Sequence, residues 1–370
     1  MDTNIVHTGD CFDVLQTLPD ESVHMVMTSP PYWNLRDYDH ADQLGLEPES
    51  DQYVQNMADV FDEVKRVLRP DGSLWLNLGD TYENKDLQQI PARVALELQN
   101  RGWILRNRVT WAKPNPMPQS VKDRLNDTTE AVFHFVTEPD YWYDLDAIRE
   151  PYAVPKDKQK QRHGQDKTNS PGGVHPGESR DTPHNFESWD PNPAGKNPGD
   201  VFEVTTKPFP DAHFAVYPPE LVETPVKASA PDRVCADCGK PYERLVNRET
   251  VYDHETTAKT DLDKDRNDTN GGDGHDLRNG VYSSGEFKGW SQPCDCDTDE
   301  TKPGVVLDPF AGAGTTLLKA KELGRQFVGI ELNAKYADMA RARVGIDVKD
   351  PSTVRDDAGQ SGLEAYKVTQ

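Results

Sequence analysis

The chain has 370 residues and a formal net charge of -23, from 64 acidic and 41 basic side chains. Its length suits one large domain with insertions or two domains. It has neither an apolar run near the roughly 20 residues that cross a bilayer nor a basic start and apolar core in MDTNIVHTGD, so no membrane partner or secretory leader is expected and the cytoplasm is the expected location.

The elements follow in chain order. An apolar run from Val23 to Met27 predicts a buried strand, stopped by Ser29-Pro30-Pro31. Tyr53, Met57, Val60, Phe61, Val64 and Leu68 fall at helical spacing, and Pro70-Asp71-Gly72 predicts a turn. Ser73 to Leu78 predicts the next strand, ending at Gly79-Asp80. A helix over Pro91 to Gln99 should stop near Gly102, with strands at Ile104 to Trp111 and Ala131 to Val136. From about Pro151 to Pro198 the chain is rich in Pro, Gly, Asn, Gln and His without a clear period, which for so long a stretch suggests a functional or disordered loop. A second irregular insertion spans 230–300, and regular pattern resumes from Gly304 to Val344. The tail from Ile346 reads as solvated. Strands alternating with helices predict an α/β fold with a mostly parallel sheet covered on both faces.

Val305-Val306-Leu307 predicts a short buried strand, followed by Asp308-Pro309-Phe310-Ala311-Gly312-Ala313-Gly314-Thr315-Thr316 and a helix from Leu317 to Leu323. A strand, a tight glycine turn and a helix bring backbone close to a ligand. The next strand, Gln326 to Ile330, ends at Glu331, about 20 residues beyond the turn, where an acid can hold ribose hydroxyls. This pattern fits an adenosine-containing cofactor on a doubly wound, Rossmann-like sheet. The turn lacks the Gly-Lys-Ser/Thr ending of a phosphate loop and the third glycine of the dinucleotide fingerprint.

Thr28-Ser29-Pro30-Pro31-Tyr32-Trp33 also follows a strand, at the carboxyl end of the sheet where open α/β folds bind ligands. Its prolines stiffen the loop, and its aromatic rings can stack on a base. Together, TSPPYW, DPFAGAGTT and Glu331 resemble the amino-methylating DNA methyltransferases, in particular their permuted beta class. There the catalytic motif precedes the cofactor motif, with target recognition between them. His7-Thr8-Gly9-Asp10, SLWLNLGD (Ser73 to Asp80), Gly195 to Val201 and HFAVYPPEL (His213 to Leu221) fit the same family.

The resemblance implies S-adenosylmethionine as cofactor, held by Asp10, Asp308, Phe310, Gly312, Gly314, Thr315, Thr316 and Glu331. It implies Ser29, Pro30, Pro31 and Tyr32 as the catalytic segment, with the Ser29 side chain and Pro30 carbonyl accepting the target amino hydrogens and Tyr32 stacking on a flipped-out base. Serine at the first motif position suggests the cytosine amino group, with adenine as the alternative. Carbon-5 methylation needs a cysteine nucleophile, and Cys11, beside Asp10, reads as a small buried residue. RNA or protein-glutamine methylation, and a non-catalytic zinc-containing DNA-binding protein, are the rival readings. A cognate restriction endonuclease is left open as a partner, and so is the oligomeric state.

Double-stranded DNA is an unusual partner for so acidic a chain. Two basic islands stand out. Arg101, Arg106, Arg108, Lys113, Lys122 and Arg124 face only Asp123 within their segment, and Lys156, Lys158, Lys160, Arg162 and Lys167 lie in the irregular stretch. They are the expected DNA contacts. The remaining acidity suits a halophilic protein, because at about 1 M salt the Debye length is about 3 Å.

Five cysteines, an odd number, argue against a disulfide framework. Cys235-Ala236-Asp237-Cys238 is a good half of a tetrahedral site, and Cys294-Asp295-Cys296 a less usual second half, with His254 and His275 as alternative ligands. A structural zinc is expected to clamp the insertion. The resulting division is 1–150 as the catalytic half of the methyltransferase core, 151–205 as target-recognition segment, 206–229 and 303–345 as the cofactor half, 230–302 as zinc-binding insertion and 346–370 as flexible tail.

Overall fold

A computed structural model of the chain describes residues 1–37, 43–151, 195–206, 216–252 and 281–346. The strands are β1 Ile5–Thr8, β2 Val23–Thr28, β3 Leu68–Leu78, β4 Tyr82–Glu83, β5 Asp86–Leu87, β6 Ile104–Ala112, β7 Thr129–Val136, β8 Val201–Glu203, β9 Val234–Cys235, β10 Glu243–Tyr252, β11 Val281–Ser291, β12 Thr301–Lys302, β13 Val305–Asp308 and β14 Gln326–Glu331. The α-helices are α1 Cys11–Thr17, α2 Ser50–Val67, α3 Ile90–Asn100, α4 Pro219–Ser229, α5 Thr315–Glu322 and α6 Ala334–Arg343. Met1–Ile148, Gly199–Tyr242 and the chain from Gln292 form one compact unit, and Arg149–Pro198 with Glu243–Ser291 form another.

The first unit is built on an eight-stranded sheet in the order β1-β14-β13-β2-β3-β7-β6-β8. The first five strands are parallel, and β7 runs antiparallel to both β3 and β6. Period-two alternation divides the central strands between two cores. Val26 of β2, Leu74 and Leu76 of β3, and Val305 and Leu307 of β13 pack on one face with α1, α2 and α3. Met25 and Met27, Trp75 and Val306 pack on the other with α4, α5 and α6. Every residue of β2 and β13 is buried. This is the near-continuous apolar character expected of parallel strands covered on both faces.

The predicted turn at Pro70-Asp71-Gly72 is absorbed into β3 instead. Val23 pairs with Leu68 and Met25 with Ser73, so β3 carries three extra residues against β2. Arg69 folds its guanidinium onto Asp71 at 2.9 and 3.0 Å, which stabilises the irregularity without ending the strand. Among the described residues no helix is long and apolar enough to cross a membrane.

In the second unit, β10 and β11 form an antiparallel hairpin from Glu243↔Ser291 to Tyr252↔Val281. The Arg244 guanidinium lies over the rings of Phe287 and Trp290, at 5.2 and 5.0 Å. Glu150 and Lys196 pair as an isolated bridge.

Candidate active site

The site forms where β13 and β2 lie side by side and their carboxyl ends open at the sheet edge. Val306 pairs with Met25 and Leu307 with Val26, which brings Asp308 beside Thr28. The Thr28 hydroxyl donates to Asp308 Oδ1 at 2.7 Å, and the Phe310 amide donates to the same oxygen at 3.1 Å. The Tyr217 hydroxyl reaches Asp308 Oδ2 at 3.2 Å and also touches the Thr316 hydroxyl. Burial raises the pKa of Asp308, and these donors oppose that rise. Burial, followed by the Asp308 charge, pushes the Tyr217 phenol well above its ordinary range.

The glycine turn fits its backbone. Gly314 caps α5 with φ of +77°, and a Cβ there would lie 2.9 Å from the Ala340 Cβ. Only glycine combines that left-handed conformation with so close an approach. Arg343 donates to the Ala313 carbonyl at 2.7 Å and ties α6 to the turn. At the end of β14, Glu331 Oε2 accepts from the Gly312 amide at 2.8 Å and Oε1 from the Asn333 amide at 2.9 Å. Burial raises the pKa of Glu331, and the two amides hold it back. Asp10 stands at the start of α1, where Oδ1 accepts from the Phe12 and Asp13 amides at 2.9 and 3.2 Å. The Gly9 amide donates to the Glu331 carbonyl at 3.0 Å, so the two acids leave adjoining strand ends.

The TSPPYW segment divides by role. Trp33 is 2% exposed and belongs to the core, its indole donating to the Glu47 carbonyl at 2.9 Å. Tyr53 of α2 donates to the Pro31 carbonyl at 2.8 Å and pins the loop. Among the described residues none donates to the Pro30 carbonyl. Ser29 Oγ lies 3.1 Å from the Tyr32 hydroxyl. Tyr32 donates to Glu130 Oε2 at 2.6 Å, and Lys113 forms an ion pair with the other Glu130 oxygen. Asn77 Nδ2 lies 2.7 Å from the Tyr32 hydroxyl, 2.8 Å from Glu130 Oε2 and 3.2 Å from Ser29 Oγ. Burial, then the Glu130 charge, raises the Tyr32 pKa well above its usual value. Gly79 makes room for this ring, since a Cβ there would fall 2.4 Å from Tyr32 Cε2.

Comparison with known proteins settles the family. Residues 23–238 and 298–342 match the N6/N4 methyltransferase family of DNA methylases. The type II methyltransferase M.SfiI of Streptomyces fimbriatus is 34% identical over 90% of this chain and 88% of its own length. The chain belongs to the N6/N4 DNA methylase family. M.XycI of Xanthomonas campestris pv. cyanopsidis is 31% identical over 91% of the chain and 86% of its own length. Among solved structures, the cytosine-N4-specific PvuII DNA methyltransferase shares the fold with a TM-score of 0.53 at 16% identity. That likeness covers 93% of this chain and 87% of the other. As a member of this family the chain is a site-specific DNA methyltransferase that uses S-adenosylmethionine and acts on double-stranded DNA.

Asp308, Phe310, Gly312, Gly314, Thr315, Thr316 and Glu331 gather around the β13–α5 turn, with Asp10 at the neighbouring strand end. A Cβ added at Gly312 would meet no atom within 4 Å, so the turn borders open space. The oriented Glu331 carboxylate beside that space fits a ribose diol. Ser29, Pro30, Pro31 and Tyr32 stand at the adjoining end of β2. Cys11 is buried, and burial with the Asp10 charge pushes its thiol up to about 12, which suits a packing residue.

The first basic island is less open than a count along the chain indicates. Arg101 bonds to Asp59, Asp62 and Glu97 at 2.6, 2.6 and 3.1 Å and ties α3 to α2. Lys113 serves Glu130, and Arg124 pairs with Asp127 at 2.9 Å while lying 4.0 Å over the Tyr82 ring. Arg106 bonds to the Tyr141 hydroxyl at 3.1 Å, and Arg108 and Lys122 are exposed. Lys156, Lys158, Lys160, Arg162 and Lys167 lie outside the described residues, as do His254 and His275.

Cys235, Cys238, Cys294 and Cys296 converge, their Sγ atoms all within 4.8 Å of one another. The Gly239 amide donates to the Cys235 carbonyl at 3.0 Å, and Thr301 of β12 pairs with Cys235. His24 of β2 joins this knuckle to the sheet. Its Nε2 donates to the Gly239 carbonyl at 2.9 Å, while its Nδ1 accepts from the Val305 amide at 3.0 Å.

Sequence reading missed Glu130, Asn77 and Tyr217 as site residues. Asn77 and Tyr217 lie inside segments that it singled out, SLWLNLGD and HFAVYPPEL. Glu130 carries no local motif, and it reaches Tyr32 because β7 pairs beside β3 through Leu78↔Ala131.

Proposed function

We propose that the chain transfers a methyl group from S-adenosylmethionine to the exocyclic N4 of cytosine in a specific duplex sequence. The observation that carries this reading is Ser29, placed at the end of β2 with its hydroxyl in the Tyr32–Asn77–Glu130 cluster and one strand away from Asp308. Serine there supplies a small neutral acceptor. The cytosine-N4 specificity of the PvuII enzyme, which has the same fold, supports the same choice. Adenine N6 is the alternative. The order of TSPPYW, irregular segment and DPFAGAGTT supports the permuted beta class.

A cytosine amino group is a weak nucleophile because its lone pair is delocalised into the ring. Ser29 and the Pro30 carbonyl accept its two hydrogens and localise that pair. The Tyr32 ring stacks on the base, which must leave the duplex at a cost of a few kcal/mol. Asp10, Asp308, Phe310, Gly312, Gly314, Thr315, Thr316 and Glu331 hold the cofactor, whose sulfonium supplies an electrophilic methyl group when bound. Positioning and fixed dipoles provide most of the acceleration.

The four cysteines hold a structural zinc. Sulfurs about 2.3 Å from zinc in a tetrahedron lie about 3.8 Å apart, which the observed cluster accommodates. Arg106, Arg108, Lys113, Lys122, Arg124, Lys156, Lys158, Lys160 and Arg162 contact DNA. The type II names of the relatives support a restriction–modification setting with a partner endonuclease. A net charge of -23 supports adaptation to high salt, so activity and folding should persist above about 1 M salt.

Mass spectrometry of nucleosides from DNA methylated by the protein tests the central claim. N4-methylcytosine is the expected product. N6-methyladenine would replace cytosine by the alternative, and no methylated base would overturn the reading. Charge reversal of Lys156, Lys158 and Lys160 should weaken DNA binding, and unchanged binding would remove that island from the interface.

A further inference from the structure

We infer that Glu130 sets the direction of a hydrogen-bond chain, Ser29 to Tyr32 to Glu130, and receives along it the proton that the target amino group gives up. This rests on the methyl-transfer reading above. Tyr32 donates its only hydroxyl hydrogen to Glu130 at 2.6 Å, so the Tyr32 oxygen is left as an acceptor. Ser29, 3.1 Å away, then donates to Tyr32 and acts on its other side only as an acceptor, with one lone pair facing Asn77 Nδ2 and one left for an incoming donor. A lone serine hydroxyl could rotate and offer a hydrogen to the target nitrogen, which would tie up the attacking pair. The chain removes that possibility.

Asn77 supports the same polarity. Its Nδ2 lies within 3.2 Å of three oxygens, those of Ser29, Tyr32 and Glu130, while its Oδ1 is buried with no hydrogen-bond partner among the described residues. Turning the amide over would face Oδ1 onto the Glu130 carboxylate, so the carboxylate dictates which end points inward. An unsatisfied buried oxygen costs about 1–3 kcal/mol. The arrangement therefore keeps every donor of Asn77 on the cluster at a cost in stability. Lys113, paired with the outer Glu130 oxygen, holds the carboxylate in place.

The proton balance follows. The target nitrogen forms a bond to the methyl carbon, the carbon–sulfur bond breaks with its electron pair remaining on sulfur, and the nitrogen is left with a positive charge. One amino proton passes to Ser29 Oγ as the Ser29 proton moves to Tyr32 and the Tyr32 proton to Glu130. Ser29 and Tyr32 end neutral, and Glu130 ends as the carboxylic acid. Glu130 does not touch the target, so it is a positioning residue and proton acceptor acting through Tyr32.

The test uses the full-length protein with unmethylated plasmid DNA and radiolabelled S-adenosylmethionine. Glu130→Gln keeps an acceptor for Tyr32 but cannot take its proton. It should lower kcat about 100-fold, within the range of general acid–base effects, with KM for DNA and cofactor affinity changed by less than about twofold. Tyr32→Phe breaks the chain at its middle and should cost a similar factor. The double variant should be no worse than about twofold below Glu130→Gln, because the two act as one unit. Wild-type kcat in Glu130→Gln, or losses that multiply in the double variant, would overturn the inference. Carbon-13 tyrosine NMR of cofactor-free protein gives an independent reading. The resonance that Tyr32→Phe removes should titrate at lower pH in Glu130→Gln than in wild type, and an unchanged titration would mean that the contact does not form. If wild-type protein methylated no base, the functional reading itself would fail, and the NMR titration would still decide the contact.

Discussion

The Thr28 hydroxyl donates to Asp308 at 2.7 Å, a bond between residues 280 positions apart that joins the ends of two central strands. Its acceptor is a buried carboxylate, and hydrogen bonds to charged groups contribute about 1.5–3 kcal/mol. Thr28→Val keeps the shape and removes the donor. It should lower unfolding stability by about that amount, as read by denaturant titration, and weaken S-adenosylmethionine binding by calorimetry. Unchanged values in both would show that the bond is dispensable.

Gly79 tests the placement of Tyr32. Gly79→Ala sets a methyl group about 2.4 Å from the ring, so the ring must move. A shift of about 1 Å at a reacting site can cost about 100-fold in rate. Steady-state kinetics should show kcat falling by at least about 10-fold while cofactor affinity stays near that of wild type. Unaltered kcat would mean that the ring position is not critical.

The cysteine cluster should carry one zinc per chain by elemental analysis of protein purified without chelator. Cys238→Ser combined with Cys296→Ser should abolish it and lower the melting temperature. Because His24 spans from Gly239 to Val305, slower exchange of the β2 and β13 amides in the zinc-loaded protein is also expected. A metal-free wild-type protein with an unchanged melting profile would refute the site.

His134 predicts an acid limb of stability. It stacks on Trp75 at 4.3 Å, bonds to the Ser73 hydroxyl at 3.1 Å, and faces Tyr141, Tyr143 and the Arg106 charge. Burial first, then Arg106, lowers its pKa from 6.5 to about 3. The unfolded chain thus binds a proton between pH 6.5 and about 3 that the folded protein refuses, so stability is present above pH 6.5 and is lost as pH falls. Acidification from pH 7 to pH 5 should remove about 2 kcal/mol through this residue. His134→Phe keeps a stacking ring and should flatten that part of the pH–stability curve, measured by urea titration. An equally steep curve would place the titrating group elsewhere.

Much of the site was legible because its parts are local. A fully apolar run before Ser29-Pro30-Pro31 and a glycine turn after Val305-Val306-Leu307 each announce a strand end. The two motifs then meet because parallel strands open at the same edge. Glu130 was not legible for the opposite reason. A glutamate before an apolar run is ordinary, and only the β3–β7 register gives it a partner. Arg101 shows the same limit, since two of the three acids that engage it, Asp59 and Asp62, lie on α2, about 40 residues earlier. The Pro-Asp-Gly signal at residues 70–72 is a sound turn signal locally. Pairing on both sides of it kept the strand continuous.

The strand order carries a consequence for biosynthesis. β1 is separated from β2 by β14 and β13, although those two come after every other described strand in the chain. A growing chain therefore presents β1 and the open edge of β2 without neighbours until the segment beyond Val305 leaves the ribosome. Before β13 and β14 are made, only the β2-β3-β7-β6-β8 portion of the sheet can pair. Unpaired edges of this kind invite association with other chains.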